Sequence, residues 1–203
     1  MRSATRFRQT SAVLVVGIVA AACQDSALAP TSESVGFPRP ALYVAGWDNQ
    51  TSFTYEPSDS ARVYDLGDGH QIYFPDGAVC DPAVSSYGPG EWDAPCAPLT
   101  TPIQITATRF HDAEGNPYVD FTPALRFVPG KPVTLFLHDP DAVLDARAEI
   151  AWCSDGGLCV TESSPTHRDV ESGILFREIR HFSGYMISAG RLLDSTTDAI
   201  LDL

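Results

Sequence analysis

The 203 residues carry 26 acidic and 13 basic side chains, a formal charge of −13 at neutral pH. A surface this acidic repels nucleic acid and anionic lipid headgroups, so neither is expected as a direct partner. The length allows one domain plus a linker.

The first 22 residues read as a targeting segment. Arg2, Arg6 and Arg8 form a positive start, Ser11 to Val19 a short apolar core, and Ala20-Ala21-Ala22 lead into Cys23. The apolar run falls short of the roughly 20 residues that cross a bilayer. Small residues ending at a cysteine are similar to a bacterial lipoprotein signal, in which that cysteine is acylated. Ala20 stands where the usual Leu would be, and an ordinary cleaved secretory signal is the competing reading. Acylation at Cys23 makes the membrane a partner through the lipid and places the protein at the cell envelope, on the outer membrane or facing the periplasm; the other reading makes it secreted. Without the three signal arginines, 10 basic side chains face 26 acidic ones.

Residues 23–40, rich in Ser, Thr, Ala and Pro, read as a flexible tether. A domain is expected over 41–190. Ala41 to Ala45 is a candidate first strand. Ala61 to Tyr64 alternates and stops at Leu66-Gly67-Asp68-Gly69, and Gln71 to Phe74 follows, ended by Pro75-Asp76-Gly77. Asp81 to Thr101 is a long loop dense in Pro, Gly and Ser. Ile103 to Phe110 and Tyr118 to Thr122 flank the turn Asp112 to Pro117. Leu125 to Phe127 and Pro132 to Leu137 flank Pro129-Gly130. A single helical turn is expected at Ala142 to Ala146. Glu149 to Cys153 and Leu158 to Thr161 form a hairpin around Ser154 to Gly157, and Glu162 to Glu171 reads as a polar connection. Ile174 to Ile187 gives two strands meeting at His181-Phe182-Ser183-Gly184, and residues 191–203 form a tail. Short strands at regular spacing, with almost no helix, predict an all-β antiparallel sandwich.

Apart from Cys23, four cysteines remain, and they allow three pairings. Cys80–Cys96 and Cys153–Cys159 are the local ones, each closing a turn-rich segment. A four-cysteine zinc site would need CxxC-type knuckles, which these separations do not supply. Disulfides, and hence an oxidising compartment, are the expectation.

Several pieces line up with one family. Gln71-Ile72-Tyr73-Phe74-Pro75-Asp76-Gly77-Ala78, Pro102-Ile103-Gln104-Ile105-Thr106, Phe121 to Phe127 with Lys131-Pro132-Val133-Thr134-Leu135, and His181-Phe182-Ser183-Gly184-Tyr185 follow in order. Over about residues 60–190 this series resembles the ZU-five domain of ankyrins, netrin receptors and death-domain adaptors, and its bacterial lipoprotein relatives. The Cys80–Cys96 insertion departs from the intracellular members. The resemblance implies a β-sandwich used mostly as a protein-interaction or structural module. It also implies a rarer use, because some adaptors of the family cut themselves at His-Phe-Ser. Here Ser183 would attack the carbonyl of Phe182, with His181 as base. The competing reading has Phe182 filling the core and Ser183-Gly184 making the bend.

Other constellations are weaker. Asp139, Asp141 and Asp145, or Asp112, Glu114 and Asn116, offer oxygens to calcium, yet neither run fits an EF-hand loop. His70, His111, His138 and His167 lack ligand spacing. Trp47, Trp92 and Trp152 offer an aromatic surface; a carbohydrate-binding module would use Trp92 or Trp47. No cofactor is expected. The leading expectation is a lipid-anchored, non-enzymatic binding or envelope-structural module with an unknown protein or glycan partner.

Overall fold

In the computed structural model the described residues are 36–44, 46, 48–57 and 60–188, and they belong to one compact unit. The signal segment, Cys23, most of the expected tether, Trp47 and the tail lie outside them. Among the described residues there are thirteen strands. In chain order they are β1 (Gly36–Pro38), β2 (Tyr43–Val44), β3 (Gln50–Tyr55), β4 (Arg62–Gly67), β5 (His70–Phe74), β6 (Ile103–His111) and β7 (Pro117–Thr122). There follow β8 (Val133–His138), β9 (Ile150–Cys153), β10 (Leu158–Val160), β11 (His167–Asp169), β12 (Ile174–Ile179) and β13 (Gly184–Ile187). The expected helical turn is a 3-10 turn, Ala142–Leu144.

The strands form an antiparallel β-sandwich. One sheet runs β1-β10-β9-β13-β7-β6, with β2 and β3 sharing the free edge of β6; the other runs β11-β12-β8-β5-β4. Alternation explains the layering, since successive side chains on a strand point to opposite faces. In β6, Ile105 and Ala107 turn inward; in β8, Val133, Leu135 and Leu137 do the same. With Ile72, Phe74, Val119, Phe121 and Leu175 they make the core between the sheets.

A smaller apolar cluster lies apart from this core. Phe37 packs with Tyr118, Ala151, Met186 and the Cys153–Cys159 pair, and Leu42 is added at its margin. The tether expected to run to Pro40 therefore ends earlier. Gly36–Pro38 pairs with β10, which gives Phe37 a place to bury. Gly184 answers to the same cluster: a Cβ there would lie 1.7 Å from the Tyr118 hydroxyl, so only glycine fits beneath that ring.

Strand β3 lies in a stretch with no expected element, and β11 lies in the expected polar connection. Leu125 to Phe127, expected as a strand, makes only isolated bridges, Phe127 to Val79 and Arg126 to His181. The two closing strands do meet at a corner, and they belong to different sheets: β12 pairs with β8, and β13 with β7 and β9. The His181-Phe182-Ser183 segment is where the chain crosses the sandwich.

Candidate functional site

The crossing is tied down on both sides. The Phe182 amide donates to the Leu125 carbonyl at 2.6 Å and the Phe127 amide to the Arg180 carbonyl at 2.9 Å. The Phe182 ring is fully buried, stacked on Phe121 at 4.4 Å and edge-on to Phe74 and Phe127. It fills the core, as the structural reading of this corner expects.

Over the corner lies the loop between β5 and β6. Cys80 and Cys96 stand at disulfide distance at its base, with Cα atoms 5.7 Å apart. Arg126, itself buried, then reaches into the loop and donates to the carbonyls of Ser86, Glu91, Ala94 and Pro95. A guanidinium has five N–H donors in a rigid fork, so one side chain can organise several turns of a loop that has no strand partner. This double restraint sets Tyr87 and Trp92 against the corner. Trp92 stacks on His181, with ring centroids 3.8 Å apart and planes inclined by 18°. Trp152 of β9 meets the same imidazole edge-on at 5.2 Å, and the Tyr87 ring is edge-on to Trp92 at 4.8 Å. The Tyr87 hydroxyl donates to the carbonyl of Phe182.

His181 is enclosed, and its two ring nitrogens face different groups. Nδ1 lies 3.4 Å from the Ser183 hydroxyl oxygen. Nε2 lies 3.5 Å from Oε1 of Glu162, an ion-pair distance rather than a good hydrogen bond. Glu162 is itself buried and also meets Arg180 at 3.1 Å and Arg177 at 3.8 Å. Burial pushes the Glu162 carboxyl upward. His181, Arg177 and Arg180 more than offset this and hold it below the usual carboxylate range. The arrangement Ser183–His181–Glu162 has the order of a nucleophile, a base and an orienting carboxylate.

Sequence reasoning brought His181, Phe182 and Ser183 together and missed Glu162, which lay in a segment read as connection. A signal for it exists in β12. The inward positions of that strand are Leu175, Arg177 and Ile179, and an arginine in register with core residues demands a buried acceptor.

A groove of about 460 Å³ opens beside the corner. Tyr87 and Trp152 wall it, Phe121 and Phe182 line it, and Ser183 borders it. Asp120 of β7 and Asp155 of the β9–β10 turn also line it. Burial raises the Asp120 carboxyl, and Asp155 raises it further; a backbone hydrogen bond and Arg39 act in the other direction without reversing it. The Tyr87 phenol is pushed up to about 12 by burial and by the same two carboxylates.

The remaining candidates fall elsewhere. Trp92 is only 6% exposed, with one face covered by His181, so it is no open platform for a sugar ring. The Asp112 carboxylate accepts from the amides of Glu114 and Asn116 and from the Asn116 side chain, which makes it the organiser of its turn. Asp139 accepts from the amides of Asp141 and Ala142, and Asp145 pairs with Arg147. Among the described residues no group of three His, Cys, Asp or Glu side chains is placed to hold a metal ion. Cys153 and Cys159 are cross-strand partners of the β9–β10 hairpin, at disulfide distance. Among the described residues no helix is long and apolar enough to cross a membrane. No protein-family model, no curated protein and no solved structure matches the chain.

Proposed function

We propose that this chain is a non-enzymatic binding module of the cell envelope, a ZU-five-like β-sandwich anchored through a lipid on Cys23. The observation that carries the binding role is the groove between Tyr87 and Trp152. Tyr87 is 44% exposed, yet its hydroxyl is fixed on a core backbone carbonyl and its loop is held by a cysteine pair and a buried arginine. A large aromatic side chain left in water but locked in place loses little freedom when a ligand covers it, which favours binding. The two cysteine pairs fit an oxidising, extracytoplasmic setting. The positive, apolar, small-residue start ending at Cys23 supports the anchor.

Two experiments test this reading. A photo-crosslinking residue at position 87, in cells, should give discrete adducts that are missing when it stands at Glu171 in the β11–β12 turn of the other sheet. Equal labelling from both positions would sink the binding role. Cys23→Ser should release the protein from the membrane fraction; retention there would refute the anchor.

Scission of the Phe182–Ser183 bond is a second reading, favoured by the Tyr87 hydroxyl on the Phe182 carbonyl and the 3.4 Å approach of Ser183 to His181. The Ser183 oxygen would add to the Phe182 carbonyl carbon while its proton passes to His181. The C–N bond would then break to leave an ester and a free Ser183 amine, and water would hydrolyse the ester. Intact mass decides the matter. Two fragments that together exceed the uncut chain by one water support scission, and a single uncut species rules it out.

A further inference from the structure

The groove beside the corner has a chemistry that narrows what it can hold. Its walls are aromatic, its floor is the core residues Phe121 and Phe182, and its polar lining includes two carboxylates. Among the described residues neither Asp120 nor Asp155 has an ion-pair partner. Asp120 accepts only from the Phe121 amide, at 3.1 Å. Arg39, which acts on it electrostatically, has its guanidinium on the Tyr118 hydroxyl at 3.4 Å. Burial and the nearby Asp155 charge raise the cost of ionising Asp120, and a cation placed between the two carboxylates lowers it. The rings supply a second attraction, because the face of Tyr or Trp draws a cation electrostatically.

Trp152 and Tyr87 present aromatic surface to the groove. A small ammonium ion would bring charge and leave that surface uncovered, whereas a lysine or arginine side chain brings its charge on an apolar stem that the rings can cover. The long-range field agrees, because a chain of net charge −13 draws basic partners toward it.

We propose that this groove binds a lysine or arginine side chain of a partner polypeptide, its charge set against Asp120 and Asp155 and its alkyl stem against Tyr87 and Trp152. The inference rests on the binding-module reading above and adds the chemical class of the ligand. The neutral sugar of a glycan would leave the two carboxylates uncompensated.

Tryptophan fluorescence of the purified chain, titrated with the capped peptide Gly-Gly-Arg-Gly-Gly, tests it. The citrulline peptide is the control, because it keeps the shape and loses the charge. The arginine peptide should give a saturable change, with affinity about tenfold weaker for the citrulline peptide and about tenfold weaker in Asp155→Asn. Asp155 is exposed, so that variant keeps its fold. Added salt should weaken the arginine peptide and leave the citrulline peptide unchanged. Equal affinity for the two peptides overturns the cationic class. If Tyr87→Ala then abolishes both, the groove itself still binds ligand and the binding-module reading stands. Arginine-peptide binding that survives Tyr87→Ala places the cation elsewhere and overturns the assignment. No saturable change with either peptide rejects the cationic ligand and counts against the groove as a binding site.

Discussion

Two buried arginines stand at different places in this sandwich and are treated in opposite ways. Every guanidinium nitrogen of Arg109 in β6 has an acceptor. Its Nε donates to Asp68 at 2.9 Å, Nη1 to the Thr51 hydroxyl at 2.7 Å and to the Leu66 carbonyl, and Nη2 to the Asp48 carbonyl. The chain is shaped to fit it: Gly67 has φ of +90°, and a Cβ there would lie 2.5 Å from the guanidinium carbon. Arg177 of β12 is served in part. Nη1 donates to the Ile150 carbonyl, while among the described residues Nε and Nη2 find no hydrogen bond, although Nη2 faces Glu162 at 3.8 Å. Nε2 of His181 and the Trp152 indole are also without hydrogen-bond partners among the described residues. The first arginine is a rivet. The second belongs to a polar cluster with unused hydrogen-bonding capacity, and that cluster lies behind the groove. Location in the core does not tell these two arginines apart, whereas the tally of satisfied donors does.

The contrast can be broken from either side. The largest effect is expected from Glu162→Gln, because it leaves Arg177, Arg180 and His181 without their shared counter-charge. Loss of one partner from a buried ion cluster costs about 4 kcal/mol, readable as a drop in the urea midpoint. Next comes acid. His70 is buried, and its Nδ1 accepts the His138 amide at 3.0 Å, which requires a neutral ring. Burial, with Arg109 and His138, lowers its pKa to about 4, against the pull of Asp68 and Asp65. The unfolded chain therefore binds a proton between pH 6.5 and about 4 that the folded chain refuses. Stability falls as pH drops through that window, by about 3 kcal/mol in all. His70→Asn, which keeps an acceptor near Nδ1, should flatten the profile there. Glu162, held below its usual range, contributes stability that is lost only at lower pH, as its folded pKa is crossed. Glu162→Gln should remove this lower step and leave the upper one.

Arg109→Met is expected to cost about 2 kcal/mol, since it abandons the Leu66 and Asp48 carbonyls. It should leave peptide binding in the groove untouched, and a changed affinity would erase the distinction between the two clusters. The smallest effect is that of Tyr87→Phe. Loss of its hydrogen bond to the Phe182 carbonyl should cost about 1 kcal/mol of stability while the ring still walls the groove.

Much of the sandwich is legible in the sequence because its central strands alternate. Ile103 to His111 and Val133 to His138 carry their inward residues at every second position, and the Gly67-Asp68-Gly69 turn stands where its composition places it. The elements that escape are those without an apolar rhythm. Gln50–Tyr55 is polar except for Phe53 and Tyr55, and becomes a strand through six register partners on β6. His167–Asp169 is wholly exposed and pairs only along the edge of β12. At the site, the neighbours His181, Phe182 and Ser183 are visible together because they are adjacent. Tyr87, Trp92, Glu162 and the groove carboxylates reach the corner from four separate segments. What unites them is the Arg126 anchor and the sheet crossing, and no local pattern encodes either.

The sheet crossing also has a consequence for how the molecule is made. β13 lies between β9 and β7, in the middle of the larger sheet, although it is the last described strand to leave the ribosome. An N-terminal fragment that stops before residue 184 has both flanking halves of that sheet and nothing to join them. Synthesis and folding are thus separated in time. The larger sheet stays unclosed until its closing segment arrives, and β13 then joins the two halves, with His181 beneath Trp92 at the crossing that leads into it.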